Sequence, residues 1–519
     1  MQTKAVILSA SFAVLATVLV QSPAFAQDTP QGQPLSVIDW LDTQPTSQPL
    51  PQPAALLPDE PDVATSGSVA PVTVAPLDGQ GPRIIGLVPS DVTGLPDSLW
   101  THSDAQSLTR KLGTLTAQHL PSAQSLFYTV LLAETAPPKG KSEAFQLARI
   151  DALIALGAVD PAFALIQQVG PEQDARLFSR FIDLSLLNDT EETACAALLK
   201  APQLAPGYAA RIFCTARAGD WSTAALLLGT SRALGVLPEP QSNALERFLD
   251  PDLFEGAAPL PRLADPDALM FRVYEALGQP ISTKTWPRAY AHADLRDVTG
   301  WKAQLDAAER LATVGALPAN RLLGVYSTRR PAASGGIWDR VAAVQRLETA
   351  IRTKSPQAIG KTLPLAWQKM KSAGLAAPFS TLFAPQVVGF GLEGPAKDIA
   401  FKMAMMSPDY EAAAVAGDPA FAFLVGLAKG TPPKGNTDLE LAIEHAFSTG
   451  ELADKFQIAL NTRTRSLGAV LIDILEQVQA GAEGDLTQLT EGLRNLRALG
   501  LEDTSRRVAL ELLILGPAS

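Results

Sequence analysis

Two cysteines, Cys195 and Cys214, are the whole thiol content of this 519-residue chain. They form no C-x-x-C motif, so the exchange chemistry of a redox-active dithiol is not expected of them. The four histidines, His102, His119, His292 and His445, are scattered, with no H-x-x-x-H or H-E-x-x-H pair. A zinc site needs convergent nitrogen, sulfur or oxygen ligands, and this spacing does not supply them. No serine sits in a G-x-S-x-G elbow. Gly389-Phe390-Gly391-Leu392-Glu393-Gly394 satisfies G-x-G-x-x-G, but only Val387 and Val388 precede it and no second strand follows. A dinucleotide site requires that motif between a strand and a helix, with an acid ending a later strand. The segment reads instead as an interhelical turn, with Pro395 at the first helical position. Asp294, Asp297, Glu502 and Asp503 read as solvated charges at helix ends. No catalytic residue, metal or cofactor is therefore expected. Glycoside cleavage needs only two carboxylates across a cleft, which leaves a cell-wall or glycan-acting enzyme as the competing functional class. No lysozyme-like catalytic segment occurs in the C-terminal half.

The elements that carry the cysteines lie in residues 142–237, a row of short apolar runs broken at regular intervals. Gly157, Asn188 and Gly219 are each 31 residues apart, and each follows an apolar run. Gly and Asn tolerate the left-handed backbone found just past a helix end. Asp160-Pro161, Asp189-Thr190 and Asp220-Trp221-Ser222 then offer caps for the next helix. A helix, turn, helix unit at this period cannot bury its apolar face alone, so such units stack.

The run Ala152-Leu153-Ile154-Ala155-Leu156-Gly157, followed by Ala162, Ala164 and Leu165, resembles the centre of a tetratricopeptide-type repeat, where small residues let two helices approach closely. The resemblance covers residues 142–237. The period here is 31, against about 34 in that family, and the family's early Trp and Tyr are absent. Similar breaks recur near Gly417, Gly450 and Gly500 without a constant period. The resemblance implies an α-solenoid of antiparallel helix pairs, a surface that holds partners rather than a shared active site.

Composition agrees with an all-α fold. Apolar residues make up 47% of the chain but aromatics only 6%, so Ala and Leu carry the core. The net charge of −11 is concentrated at one end. Residues 27–98 hold nine acids and one base, and Lys4 adds one positive charge, so only −4 falls on residues 99–519. With no basic face, nucleic acid is not an expected partner.

The N-terminus reads as a secretory signal. Lys4 precedes an apolar stretch, residues 5–20, and Ala24-Phe25-Ala26 makes an A-x-A site that places cleavage between Ala26 and Gln27. No cysteine follows that site to carry a lipid, and no later run is long enough to span a bilayer. The expectation is an exported, soluble, periplasmic protein of a Gram-negative bacterium. Residues 27–98 hold thirteen prolines and read as a disordered, acidic linker. Within it, Val37, Ile38, Trp40 and Leu41 form a compact apolar cluster suited to docking on a partner's groove. A second apolar island, residues 83–88, is expected to lie on the first helices. The body then divides softly at 250–267 into N-terminal repeats, 99–250, and C-terminal repeats, 251–519.

Export gives the cysteines a role. Residues 190–200 and 208–218 are expected as antiparallel helices about a turn near Leu204, which sets Cys195 and Cys214 at similar heights. A disulfide there would close a loop of about 20 residues and stabilise the fold by about 3 kcal/mol. The function this pattern favours is a non-catalytic periplasmic scaffold that binds other envelope proteins.

Overall fold

Alanine- and leucine-rich segments form helices here as their propensities direct. The computed structural model describes residues 83–263, 265–448 and 467–517. Among these residues the regular structure is all-helical, with no strand and only isolated bridges, such as Ile85 with Thr135 and Val88 with Ala133. The expected signal sequence with its Ala26–Gln27 cleavage point, and the docking residues Val37, Ile38, Trp40 and Leu41, lie outside the described residues.

The first helices are α1 (Ser90–Thr93), α2 (Ala105–Thr114) and α3 (Pro121–Leu132). Asp104 caps α2 by accepting from the Ser107 N–H at 2.8 Å. The island at 83–88 lies on the body. Ile85 N–H donates to the Thr135 carbonyl at 3.1 Å and Gly86 N–H to Gln168 Oε1 at 2.9 Å. Residues 83–98, assigned to the linker on composition, thus belong to the helical body, because main-chain hydrogen bonds and the buried Ile85 and Leu95 outweigh their proline content. Arg149 locks this region. It is fully buried and faces no carboxylate; its guanidinium donates to the carbonyls of Ile85, Leu131 and Ala133 and to Gln146 Oε1. Two of those carbonyls end α3, where the helix dipole favours a cation. Burial still pulls the guanidinium down to about 10.

Next come α4 (Ser142–Leu156), α5 (Val159–Val169), α6 (Ala175–Leu187), α7 (Glu191–Lys200), α8 (Tyr208–Arg217), α9 (Trp221–Ala233), α10 (Glu239–Leu249) and α11 (Ala268–Ala276). Each packs on its predecessor, across a short connection except between α10 and α11. The expected breaks are helix ends with different backbones. Gly157 and Gly219 have φ of 78° and 89°, whereas Asn188 is at −97° and its neighbour Asp189 takes the left-handed position at 61°. Asp shares with Asn the short polar side chain that tolerates this region. Gly157 is doubly required, since a Cβ there would sit 2.7 Å from the Leu311 side chain. Asp220 caps α9 through the Thr223 N–H at 3.0 Å. Asp160 caps nothing: it lies inside the first turn of α5 and accepts from Asn188 Nδ2 at 2.9 Å. The segment 250–267, where the repeat rhythm is lost, lies against its neighbours. Leu260 is buried, and the Pro261 carbonyl accepts from the Tyr274 hydroxyl at 2.7 Å.

The remaining helices are α12 (Trp301–Ala312), α13 (Ala319–Ser327), α14 (Gly336–Arg352), α15 (Pro356–Lys371), α16 (Ala376–Val387), α17 (Gly394–Met405), α18 (Tyr410–Ala416), α19 (Ala422–Ala428), α20 (Asp438–Phe447), α21 (Leu467–Ala482), α22 (Leu486–Ala498) and α23 (Glu502–Leu515). In a linear array each unit touches only its neighbours. Here α21 and α23 return to pack on α3, and α21 also meets α2. The seam is specific. Gly468 lies under the Trp100 ring, where a Cβ would come within 2.2 Å, and its N–H donates to the Leu99 carbonyl at 3.0 Å. Lys111 pairs with Asp473. Glu511 accepts from the Ser122 N–H at 2.9 Å and from its hydroxyl at 2.6 Å.

Candidate functional site

Cys195 on α7 and Cys214 on α8 are joined, with Cα atoms 4.9 Å apart. Helical spacing gives the bridge a second consequence. Glu191 is one turn before Cys195, and Arg217 is three residues after Cys214, so each shares its cysteine's side of the helix. The disulfide therefore holds together the two helix ends where Arg217 Nη2 approaches Glu191 Oε1 at 3.4 Å.

Those ends open into a cavity of about 850 Å³. Helix termini and turns build it: Asp160 on α5, Asn188 and Asp189 after α6, Glu191 on α7, and Phe213 and Arg217 on α8. Phe248 on α10, Arg272 and Glu275 on α11, His292 and residues 295–298 in the following turn, and Arg321 on α13 complete it. The 31-residue break at Asn188 thus stands at its wall, and the left-handed Asp189 directs its carboxylate to Arg272.

Arg272 is the centre of the charge network. It reaches Asp189 at 2.6 Å, Glu191 at 3.1 Å and Glu275 at 2.6 Å. Burial acts against its charge, but the Glu191 and Glu275 carboxylates outweigh that and raise the guanidinium above its usual range. Arg296 pairs with Glu275 and lies 3.6 Å from Asp189. Glu191 is only 5% exposed, and its second oxygen, Oε2, has no hydrogen-bond partner among the described residues. His292 is buried; desolvation lowers its pKa, Asp160 opposes this and Arg321 adds to it, which favours the neutral imidazole. Arg321 and Asp297 are exposed on the cavity lining and make no ion pair among the described residues. The cavity consequently has a self-neutralised floor and a rim on which Arg321, Asp297 and the exposed Asp160 make no ion pair among the described residues. Such a surface suits a polar segment that carries both charges.

Of the histidines and carboxylates weighed for chemistry, the cavity gathers His292 and Asp297, beside the break and cap residues Asp160, Asn188 and Asp189. His102, His119 and His445 lie elsewhere: the Thr101 hydroxyl is 2.9 Å from His102 Nδ1, and His119 is 3.9 Å from Glu483. Among the described residues no group of His, Cys, Asp and Glu is arranged to hold a metal ion. Residues 388–390 form a 3₁₀ turn, Gly391 is left-handed, and α17 begins at Gly394 with Pro395 in its first turn, which is the interhelical turn expected of the G-x-G-x-x-G segment. The reading of the acids needs correction. Asp294 is half-buried and accepts from the Thr283 hydroxyl, and burial lifts its carboxyl above the usual range. Glu502 pairs with Arg497 at 2.8 Å and Arg506 at 3.1 Å, and Asp503 accepts from the Tyr410 hydroxyl at 2.9 Å. Neighbours far along the chain supply some of these partners, which is why the acids look like free charges in the sequence. Sequence reasoning missed Arg272, Arg296, Arg217 and Glu191; the one local signal was Arg272 and Glu275 at helical i, i+3 spacing.

Comparisons with protein families, with curated proteins and with solved structures found no match.

Proposed function

We propose that the chain is an exported, non-catalytic helical scaffold that binds another envelope protein. In this reading α4 to α9 are the tetratricopeptide-like part of an α-solenoid, and the protein works in the periplasm, where the Cys195–Cys214 disulfide is stable. One observation carries the proposal. Trp221, 49% exposed at the start of α9, has its ring 6.0 Å from that of Phe248, which lines the charged cavity. Leu226, Leu234 and Val236 extend the exposed apolar surface along and just beyond α9. An aromatic anchor next to arginines, with a polar rim, is the composition of a protein-binding hot spot. The partner segment places an apolar side chain against Trp221 and its charged groups on Arg321 and Asp297.

Photo-crosslinking in cells tests this. A crosslinking residue at position 221 or 321 is expected to capture one discrete envelope protein, and the same residue at Val415, which is 81% exposed elsewhere, is not. Absence of any specific adduct at 221 and 321 overturns the scaffold. Release of muropeptides from peptidoglycan, abolished by one Asp or Glu substitution, overturns the non-catalytic reading in favour of a carboxylate enzyme.

A further inference from the structure

A second cavity, of about 540 Å³, opens where α3 meets the turn after α12, the start of α16 and the end of α23. It shares no lining residue with the charged cavity. Its walls are small or flat, among them Gly315, Ala376, Ala377 and Pro378. Gln118, just before α3, and Gln124 and Tyr128, one turn apart on it, supply the polar side of the lining. Gln118 and Gln124 are each 4% exposed.

Hydrogen bonding fixes which way both amides point. Gln118 N–H donates to Gln124 Oε1 at 2.7 Å, and Gln118 Nε2 donates to the Thr116 carbonyl at 3.0 Å. Gln118 Oε1 and Gln124 Nε2 are thereby left over, and neither these two atoms nor the Tyr128 hydroxyl has a partner among the described residues. Buried polar groups are normally paired, and each unpaired one opposes folding. The three residues that carry them all line one cavity, and together their acceptor, donor and hydroxyl complement a ligand. No carboxylate of the described residues lines the cavity. Lys371 Nζ is engaged with the Ile514 carbonyl at 2.7 Å, and the Tyr128 phenol stays neutral because burial raises it, with Arg288 opposing. A helix-end carbonyl thus holds the Lys371 ammonium, which lets the ligand be uncharged.

We propose that this cavity binds a small uncharged molecule through a secondary amide. The amide N–H donates to Gln118 Oε1, its carbonyl accepts from Gln124 Nε2, and an apolar group beside it packs on Ala376, Ala377 and Pro378. The Tyr128 hydroxyl takes a further polar group of the ligand. A cavity of this size holds a molecule of one or two rings.

Calorimetric titration of the full chain tests the site with two probes, N-acetylglucosamine and N-acetyl-alanine N-methylamide. Glucose, which lacks the amide, and glucosamine, which carries an ammonium instead, are the controls. Saturable binding of an amide probe at millimolar concentration, with neither control bound, is the expected result. Whichever probe binds identifies an acetamido sugar or a peptide bond as the source. Tyr128→Phe removes an unpaired hydroxyl, so its thermal midpoint should be unchanged or higher while affinity falls about five-fold. Gln118→Met should weaken binding by at least as much. Binding of neither amide probe, equal binding of the controls, or full affinity in both variants overturns the proposal.

Discussion

Glu191 and Glu511 are both buried carboxylates, 5% and 2% exposed, and they are accommodated in opposite ways. Glu191 accepts from Arg272 at 3.1 Å and lies 3.4 Å from Arg217. Among the described residues no cation is bonded to Glu511; Ser122 gives it an N–H and a hydroxyl. Burial pushes the Glu511 carboxyl up to about 7, against the pull of those two donors and of Arg507. Cations therefore compensate the buried carboxylate in the cavity region, while neutral donors alone meet the one buried at the seam between the first and last helices. A compensated pair is vulnerable to loss of one partner. An uncompensated acid is vulnerable to pH.

The largest effect is expected at the compensated site. Arg272→Met leaves Glu191, Asp189 and Glu275 facing one another with one guanidinium fewer, and Glu191 is too buried for water to replace it. Breaking such a network from one side costs about 3–5 kcal/mol. Urea unfolding of the full chain should show that loss. A change below about 1 kcal/mol would mean the network is screened like a surface pair, and the contrast with Glu511 would fail.

Second in size is the disulfide. Replacing Cys195 and Cys214 with alanine should cost about 3 kcal/mol. It also frees α7 from α8 one turn from Glu191 and Arg217. The thermal midpoint should fall in the variant, as it should when the parent chain is reduced, and reduction should leave the variant unchanged. If the variant matches the oxidised parent, the bridge does not hold the cavity wall.

What could be read from the sequence and what could not follows the same division. Cys195 and Cys214 were legible because two short helices and one turn bring them together, a local problem of spacing. Gly157 and Gly219 were legible because only a few residue types tolerate their backbone. Asn188 misled, since Asp189 next to it tolerates the left-handed region as well. Arg272 and Asp189 meet across 83 residues, and Ser122 and Glu511 across 389. No periodicity encodes either meeting. Residues 83–98 read as linker because composition sees thirteen prolines across 27–98 and cannot see the carbonyls that Arg149 ties down.

The third prediction sharpens the other half of the comparison. Glu511 takes a proton in the folded chain with a value of about 7, above the ordinary 4.5 of an unfolded carboxylate. Its contribution is whole below about pH 4.5 and is lost as pH rises through about 7. The parent should lose on the order of 2 kcal/mol across that window from this group. Glu511→Gln keeps a neutral amide in place and should remove that slope. Unfolding curves at several pH values, parent against variant, measure it directly. Identical slopes would show that the seam tolerates the charge.

The smallest effect on stability, and the most informative for function, is expected from Trp221→Ala. Its ring is half-exposed, so truncation should cost about 1–2 kcal/mol. If Trp221 anchors a partner, capture by the chain in cells should nonetheless collapse. The parallel substitution Trp40→Ala separates the two apolar clusters proposed to engage partners. Loss of capture in both variants would make them two contacts of one binding event. Loss only in Trp221→Ala would confine recognition to the rim of the charged cavity, and the docking role of Val37, Ile38, Trp40 and Leu41 would be dropped. Loss only in Trp40→Ala would move recognition to the N-terminal cluster and leave the Arg272 network a purely structural device. That outcome would still fit the comparison between Glu191 and Glu511, because compensating a buried carboxylate is reason enough for the arginines to be there.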